Sequence, residues 1–158
     1  DHVYQTIAEG AGAAAVGHGF TYSGHPGSAA VGLAVLDLYE GGLLENGRRM
    51  GERLLAGLRG LSDHPLVGEV RGRGMLAAIE LVTDKAARTP LPAAAQAATR
   101  IFDRAWANGL VIRAFANGAL GYAPPLCCTE ADIDRIVEAS RLTLDQTLED
   151  PDVRTALR

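Results

Sequence analysis

The chain has 158 residues, 15 of them basic and 19 acidic, for a formal net charge of −4; 47% are hydrophobic and 22% charged. These are the proportions of a soluble globular protein long enough for one full core, and they exclude a disordered chain. The mild acidity and scattered arginines exclude the clustered basic face of a nucleic-acid binder, and the densest apolar run, Ala29 to Leu36, falls short of the roughly 20 residues of a membrane span.

No basic-then-apolar leader opens the chain, which gives secretion no support. The adjacent Cys127 and Cys128 cannot build a disulfide framework and suit a reducing compartment, so the expected location is cytoplasmic. Fourteen arginines stand against a single lysine, Lys85, which leaves one candidate for any lysine-dependent step.

Asp1 to Ala8 carries no clear start signal, and Gly10 to Gly19 is rich in Gly and Ala; such an opening reads as the middle of a longer protein. Phe20 to Gly27, FTYSGHPG, is a loop punctuated by Gly and Pro, and Pro26 suits a first helical turn. Ser28 to Tyr39 is then a helix apolar nearly all round, hence expected to be buried. Gly41-Gly42 interrupts it, and Leu44 to Leu61 resumes at helical spacing through Leu54, Leu55 and Leu58. The period then changes. Leu66 to Arg71 and Met75 to Val82 read as strands around a Gly72-Arg73-Gly74 turn. Ala93 to Ala107 is a helix with Ala97, Ala98, Ile101, Phe102 and Ala105 inward and Gly109 as its C-terminal cap. Leu110 to Arg113 and Leu120 to Ala123 are short strands. Thr129 and Asp132 form a capping-box pattern opening a last helix with Ile133, Ile136, Val137 and Leu144 on one side. The order implies an α+β layer, helices over a small sheet.

The segment from His18 to Pro26 is dense in small, hydroxyl and imidazole residues and leads straight into a helix. Its backbone N–H groups, with Thr21 and Ser23, could cradle an anion such as phosphate; spacing alone favours the commoner case, a glycine-rich connection whose hydroxyls cap the helix. His18 and His64 have no His or Cys at metal-ligand spacing, and Cys127-Cys128 are too close together to bracket a zinc, so no metal site is expected.

GHGFTYSGHPGSAAVGLAVLDLYE closely resembles the segment that follows the catalytic lysine in class III aminotransferases, pyridoxal-phosphate enzymes of fold type I. HPLVGEVRGRGMLAAIEL, NGLVIRAF and APPLCCTEADID follow in the family's order and resemble its strand pair around Arg-Gly-x-Gly, its substrate-entrance strand and its Pro-Pro-Leu stretch. The resemblance implies the C-terminal part of a fold type I transferase (α+β / α/β): residues 1–27 as the end of the large cofactor-binding domain, 28–61 as connecting helices, and 62–158 as a small domain with a short antiparallel sheet covered by helices. It further implies pyridoxal 5'-phosphate as cofactor and a homodimer sharing the cofactor site. Thr21 would hold the phosphate across the interface with the Phe20 backbone as companion, and Arg113 would clamp the carboxylate of a keto acid such as pyruvate. Without the resemblance, Arg113 is an arginine ending a strand. The segment from Arg113 to Pro124 is slightly longer than is usual in the family.

Arg71 and Glu80 read as structural, and His25 as a residue ordering its loop. The Schiff-base lysine, the aspartate facing the pyridine nitrogen and the ring-stacking aromatic belong, by the same resemblance, upstream of this chain, and Lys85 sits in the wrong motif. The expected function is therefore amino-group transfer from an amine or ω-amino acid to a keto acid by a parent enzyme, this chain alone being inactive. Two alternatives share the residues: a non-catalytic small-domain module acting in protein interaction, and an aminomutase of the same family.

Overall fold

The computed structural model describes residues 2–9, 19–91 and 97–157, so the expected helix start at Ala93 and His18 lie outside the described residues. The chain divides into two compact units, Asp1–Leu38 and Tyr39–Arg158.

The first unit holds α1 (His2–Glu9), the Phe20–His25 loop and α2 (Pro26–Leu38). Pro26 takes the first helical position, where its missing N–H costs nothing. The imidazole of His25 caps the helix, its Nδ1 accepting from Ser28 N–H at 3.1 Å. The expectation that this apolar helix is buried does not hold. None of its residues is buried, and Val31 and Leu33 are each 65% exposed. A helix apolar around its whole circumference needs cover on every side, and the described residues do not supply it.

The second unit opens with a π-type turn, Tyr39–Leu43, where Gly42 at φ 110° breaks the helical path as the Gly41-Gly42 pair implied. In α3 (Leu44–Arg59), Gly47, Met50, Gly51, Leu54 and Leu58 form a buried stripe, while Arg48 pairs with Glu45 and Glu52 on the outer side. That stripe lies on the hairpin of β1 (Val67–Arg73) and β2 (Leu76–Asp84). Gly72 and Arg73 belong to β1, opposite Ala77 and Leu76, so the turn is tighter than expected. It is a two-residue loop, Gly74-Met75, with glycine first at φ 56°, which suits the twist of a hairpin.

β2 is central. It pairs antiparallel with β1, with β5 (Ala119–Tyr122) and, near its end, with β3 (Thr89–Pro90), and β4 (Arg113–Ala114) completes the order β1-β2-β5-β4. Its alternate residues Ala77, Ile79 and Leu81 enter the core with Leu54, Leu58, Leu66, Leu120 and Ile133. Only the end of the expected 110–113 strand is paired, although Leu110 and Ile112 are buried on the way to it.

α4 (Ala97–Ala107) ends as foreseen at Gly109: Leu110 N–H reaches Ala105 O at 2.8 Å and Gly109 N–H reaches Trp106 O at 3.0 Å, the paired bonds of a Schellman motif. Ile101 and Ala105 point inward, but Phe102 does not. It is 40% exposed and stacks on Trp106, one helical turn further along the outer face, at 6.4 Å.

The capping box of α5 (Glu130–Leu148) is complete. Asp132 N–H donates to Thr129 Oγ1 at 3.2 Å, and Thr129 N–H to Asp132 Oδ2 at 3.0 Å. These bonds from Thr129, reinforced by Arg135, hold the Asp132 carboxyl down at about 2. α5 packs on both α3 and α4 through Ile133 and Leu144, and also through Ser140, Thr143 and Thr147. Each of the three buried hydroxyls donates to the carbonyl four residues back, at 2.6–2.7 Å, so none of the three brings an unpaired donor into the core. A final helix, α6 (Pro151–Ala156), was not anticipated. Its N-cap Asp150 is buried, accepts from Asp152 N–H, and receives Arg104 at 2.7 Å and Arg100 at 3.0 Å; Arg104 foremost lowers its carboxyl to about 2.

By length and hydropathy alone, the helical run Pro26–Arg59 could cross a membrane. Gly42 interrupts it, however, and α3 carries Glu45, Arg48, Arg49, Glu52 and Arg53 while burying its apolar stripe on protein. That leaves the 13 residues of α2, fewer than the roughly 20 a span requires.

Two consequences are measurable. A Cβ at Gly51 would lie 2.4–2.5 Å from the carbonyl of Gly74, so helix and hairpin turn touch through backbone alone. Gly51→Ala should therefore destabilise the fold, against the ordinary gain of about 1 kcal/mol for Ala in a helix. Leu54→Ala should cost roughly 2–5 kcal/mol. Urea unfolding reads both, and a more stable Gly51→Ala would contradict the docking of α3. The second consequence concerns His64, whose Nδ1 accepts from Leu66 N–H at 3.2 Å. Its Nε2 has no hydrogen bond and lies 3.4 Å from Asp145 Oδ1. Burial lowers its pKa below the ordinary value of 6.5 despite Asp145. The unfolded chain thus takes up this proton first, so stability is full above that value and falls as pH drops below it. His64→Gln should flatten the decline in thermal midpoint between about pH 7.5 and 5.5; an equal decline in both proteins would contradict the assignment.

Candidate functional site

The loop before α2 is an ordered turn. Ser23 N–H donates to Phe20 O at 2.9 Å, Phe20 N–H donates to Ser23 Oγ at 2.9 Å, and His25 N–H donates to Tyr22 O at 3.1 Å. The ring of Tyr22 meets that of His25 edge-on at 5.7 Å. Ser23, singled out above with Thr21 as an anion-binding hydroxyl, accepts from Phe20 within the turn through its oxygen, and this occupies the Phe20 amide. The Thr21 hydroxyl and the Thr21 and Tyr22 amides have no partner among the described residues, and the whole turn is exposed. Residues 1–38 contain no lysine or arginine. A phosphate dianion here would meet neutral donors only, so the loop suits one side of an anion site whose cations come from elsewhere.

Arg113 begins β4 opposite Gly121 of β5. It is exposed, its guanidinium carbon lies 5.2 Å from the centre of the Phe115 ring, and it has no ion pair among the described residues. Arg48, Arg53, Arg71, Arg88, Arg100 and Arg104 are all satisfied by carboxylates. Arg71 does what the sequence suggested: it bonds Glu80 at 2.9 Å across the β1–β2 hairpin, beside Arg88 bonded to Glu69 at 2.5 Å. Lys85 lies in an exposed turn with Nζ on Ser62 O at 2.7 Å.

Phe20 and Thr21 belong to the first unit and Arg113 to the second. None of them lines the cleft of about 740 Å³ between α5 and the chain around Asn108 and Cys127. That cleft holds no chemistry of its own. Asp132 and Arg135 pair with each other, and burial raises the Cys128 thiol, leaving it a poorer nucleophile. No cluster of three or more metal-ligating side chains occurs among the described residues.

The profile of the family Aminotransferase class-III matches residues 1–144. The chain belongs to this family. It is 40% identical over 141 residues to the diaminobutyrate–2-oxoglutarate transaminase of Halomonas elongata, covering 87% of this chain and 30% of that protein. With the taurine–pyruvate aminotransferase of Bilophila wadsworthia it shares 42% over 125 residues, 74% of this chain and 27% of the relative. Among solved structures, the (S)-enantioselective ω-transaminase of Thermomicrobium roseum superposes with a TM-score of 0.85 at 35% identity, over 94% of this chain and 33% of that one. The ω-transaminase of Pseudomonas jessenii in complex with PMP gives 0.79 at 40%, over 93% and 32%. The fold thus matches part of the fold type I architecture of these transaminases, and the chain spans about a third of their length.

The geometry of the turn can be tested directly. Ser23→Ala removes the acceptor for Phe20 N–H, so the Phe20 amide should exchange with solvent faster while the α3 amides are unchanged. Equal exchange at Phe20 would contradict the turn as described.

Proposed function

We propose that this chain is the C-terminal section of a pyridoxal-phosphate-dependent aminotransferase that moves an amino group from an amine or ω-amino acid to a keto acid such as pyruvate. In this reading residues 1–27 end the large domain, 28–61 connect, and 62–158 form the small domain of a cytoplasmic homodimer. The observation that carries the reading is the unspent chemistry of the two candidate groups. Thr21 presents a hydroxyl and neighbouring amides with no partner within the described residues, and Arg113 presents a guanidinium that no carboxylate among them neutralises. Both lie within residues 1–144, which match the family.

The donors suit the phosphate end of the cofactor, so the turn would hold that end and leave the ring to other residues. When bound, the cofactor supplies the electron sink and the amino-group carrier. This chain's part is positional. Thr21 Oγ1 donates to a phosphate oxygen, the Thr21 and Tyr22 amides add to it, and Ser23 and His25 keep the turn closed around them. Arg113 binds the acceptor's carboxylate through the edge of its planar fork. Lys85, bonded to Ser62 O, has a structural role that supports placing the reactive lysine in the part of the enzyme this chain does not span. The isolated chain is then inactive.

In the full-length enzyme, Arg113→Ala should raise the KM for pyruvate about tenfold or more, the worth of a charge-assisted bond, while a carboxylate-free amine keeps its KM. Thr21→Ala should weaken retention of the cofactor on dialysis. Unchanged keto-acid kinetics would remove Arg113 from the site, and unchanged retention would remove Thr21.

A further inference from the structure

We infer that Phe115 is a positioning residue for Arg113, holding the guanidinium over its ring so that the fork is already aimed when a carboxylate arrives; this rests on the reading of Arg113 as the carboxylate clamp. Phe115 directly follows β4, two residues after Arg113, and its ring lies under the Arg113 guanidinium. The root of the ring is fixed on both sides: Phe115 N–H donates to Ala119 O at 2.8 Å, and its carbonyl accepts from Gly118 N–H at 2.9 Å. Asn117 Oδ1 closes the same turn by accepting from Ala119 N–H at 3.2 Å.

Space for this arrangement comes from Gly121, which stands opposite Arg113 in the strand pairing. A Cβ there would lie 3.1 Å from Phe115 Cε2 and 3.8 Å from Arg113 Cβ, tight enough to displace the ring. With only hydrogen at position 121, the ring settles where the Arg113 guanidinium carbon lies 5.2 Å from its centre, within reach of the aromatic quadrupole. That attraction acts on the charge of the cation and needs no carboxylate acceptor. The N–H edge, which a carboxylate needs, stays available. A long exposed arginine otherwise loses rotamer freedom when it binds, and a ring that has already restricted it reduces that loss.

The test uses the full-length enzyme and two readouts: pyruvate kinetics, and calorimetric binding of propanoate, a carboxylate that cannot accept an amino group. Phe115→Leu keeps an apolar side chain but removes the quadrupole. It should raise both the pyruvate KM and the propanoate Kd about two- to fivefold, with no change in KM for a carboxylate-free amine. Phe115→Tyr, which restores the ring, should return both to the original values. In an Arg113→Ala background, Phe115→Leu should add nothing. If Leu at this position behaves as Phe does, or if Tyr is as impaired as Leu, the inference is overturned while the role of Arg113 stands. If Arg113→Ala itself leaves pyruvate and propanoate binding unchanged, the clamp reading fails and this inference falls with it.

Discussion

The structure of the larger unit depends on the face-to-face contact between α3 and the β1–β2 hairpin. Leu54 and Leu58 are completely buried there against Ile79, Leu81 and Leu66, and at Gly51 the helix comes so close to the Gly74 turn that no side chain fits between them. Other features follow from that contact. Asn46, one turn before Met50, is placed to donate to the carbonyls of Leu126 and Cys128 at 2.7 and 3.0 Å, which ties down the stretch leading into α5. Arg53 on the next turn bonds Asp134 of α5 at 2.7 Å. With α5 fixed on α3, α4 packs on α5, β5 pairs with β2 and β4 with β5, which places Arg113 at the edge of the sheet.

The two units differ in how they gain order. The second has a contiguous apolar core, whereas the first has no buried residue in either of its helices. Its turn is ordered instead by local bonds from Ser23 and His25. That division fits a chain spanning a third of its relatives. The second unit is a packed object, while α2 and the Thr21 turn carry exposed apolar surface and donors that have no partner among the described residues. The proposed site is incomplete for the same reason, since the turn has hydroxyl and amide donors but no cation.

How much was legible in the sequence depended on whether the cause was local. The His25-Pro26 start of α2, the Thr129–Asp132 box and the Gly109 cap are decided within a few residues, and each stands where the pattern put it. The Gly72-Arg73-Gly74 turn was misplaced by a residue or two because several glycines compete and cross-strand pairing decides among them. Phe102 was assigned inward on periodicity, but its partner one turn on was Trp106, and a pair of aromatics can cover each other at the surface. Ser140, Thr143 and Thr147 gave no apolar signal, so the true inner face of α5 was hidden, and α6 was missed because its anchor, Asp150, depends on Arg100 and Arg104 some fifty residues earlier in the chain. Nothing in the spacing of Thr21 distinguished it from any loop hydroxyl. The family resemblance singled it out, while Ser23 accepts from the Phe20 amide and closes the turn.

The most direct measurement is the transfer of nitrogen itself. The full-length protein, supplied with pyridoxal phosphate, pyruvate and a panel of ¹⁵N-labelled amines and ω-amino acids, should yield labelled alanine in an amount equal to the donor consumed. Cofactor bound without any label reaching alanine, across the whole panel, would contradict the account.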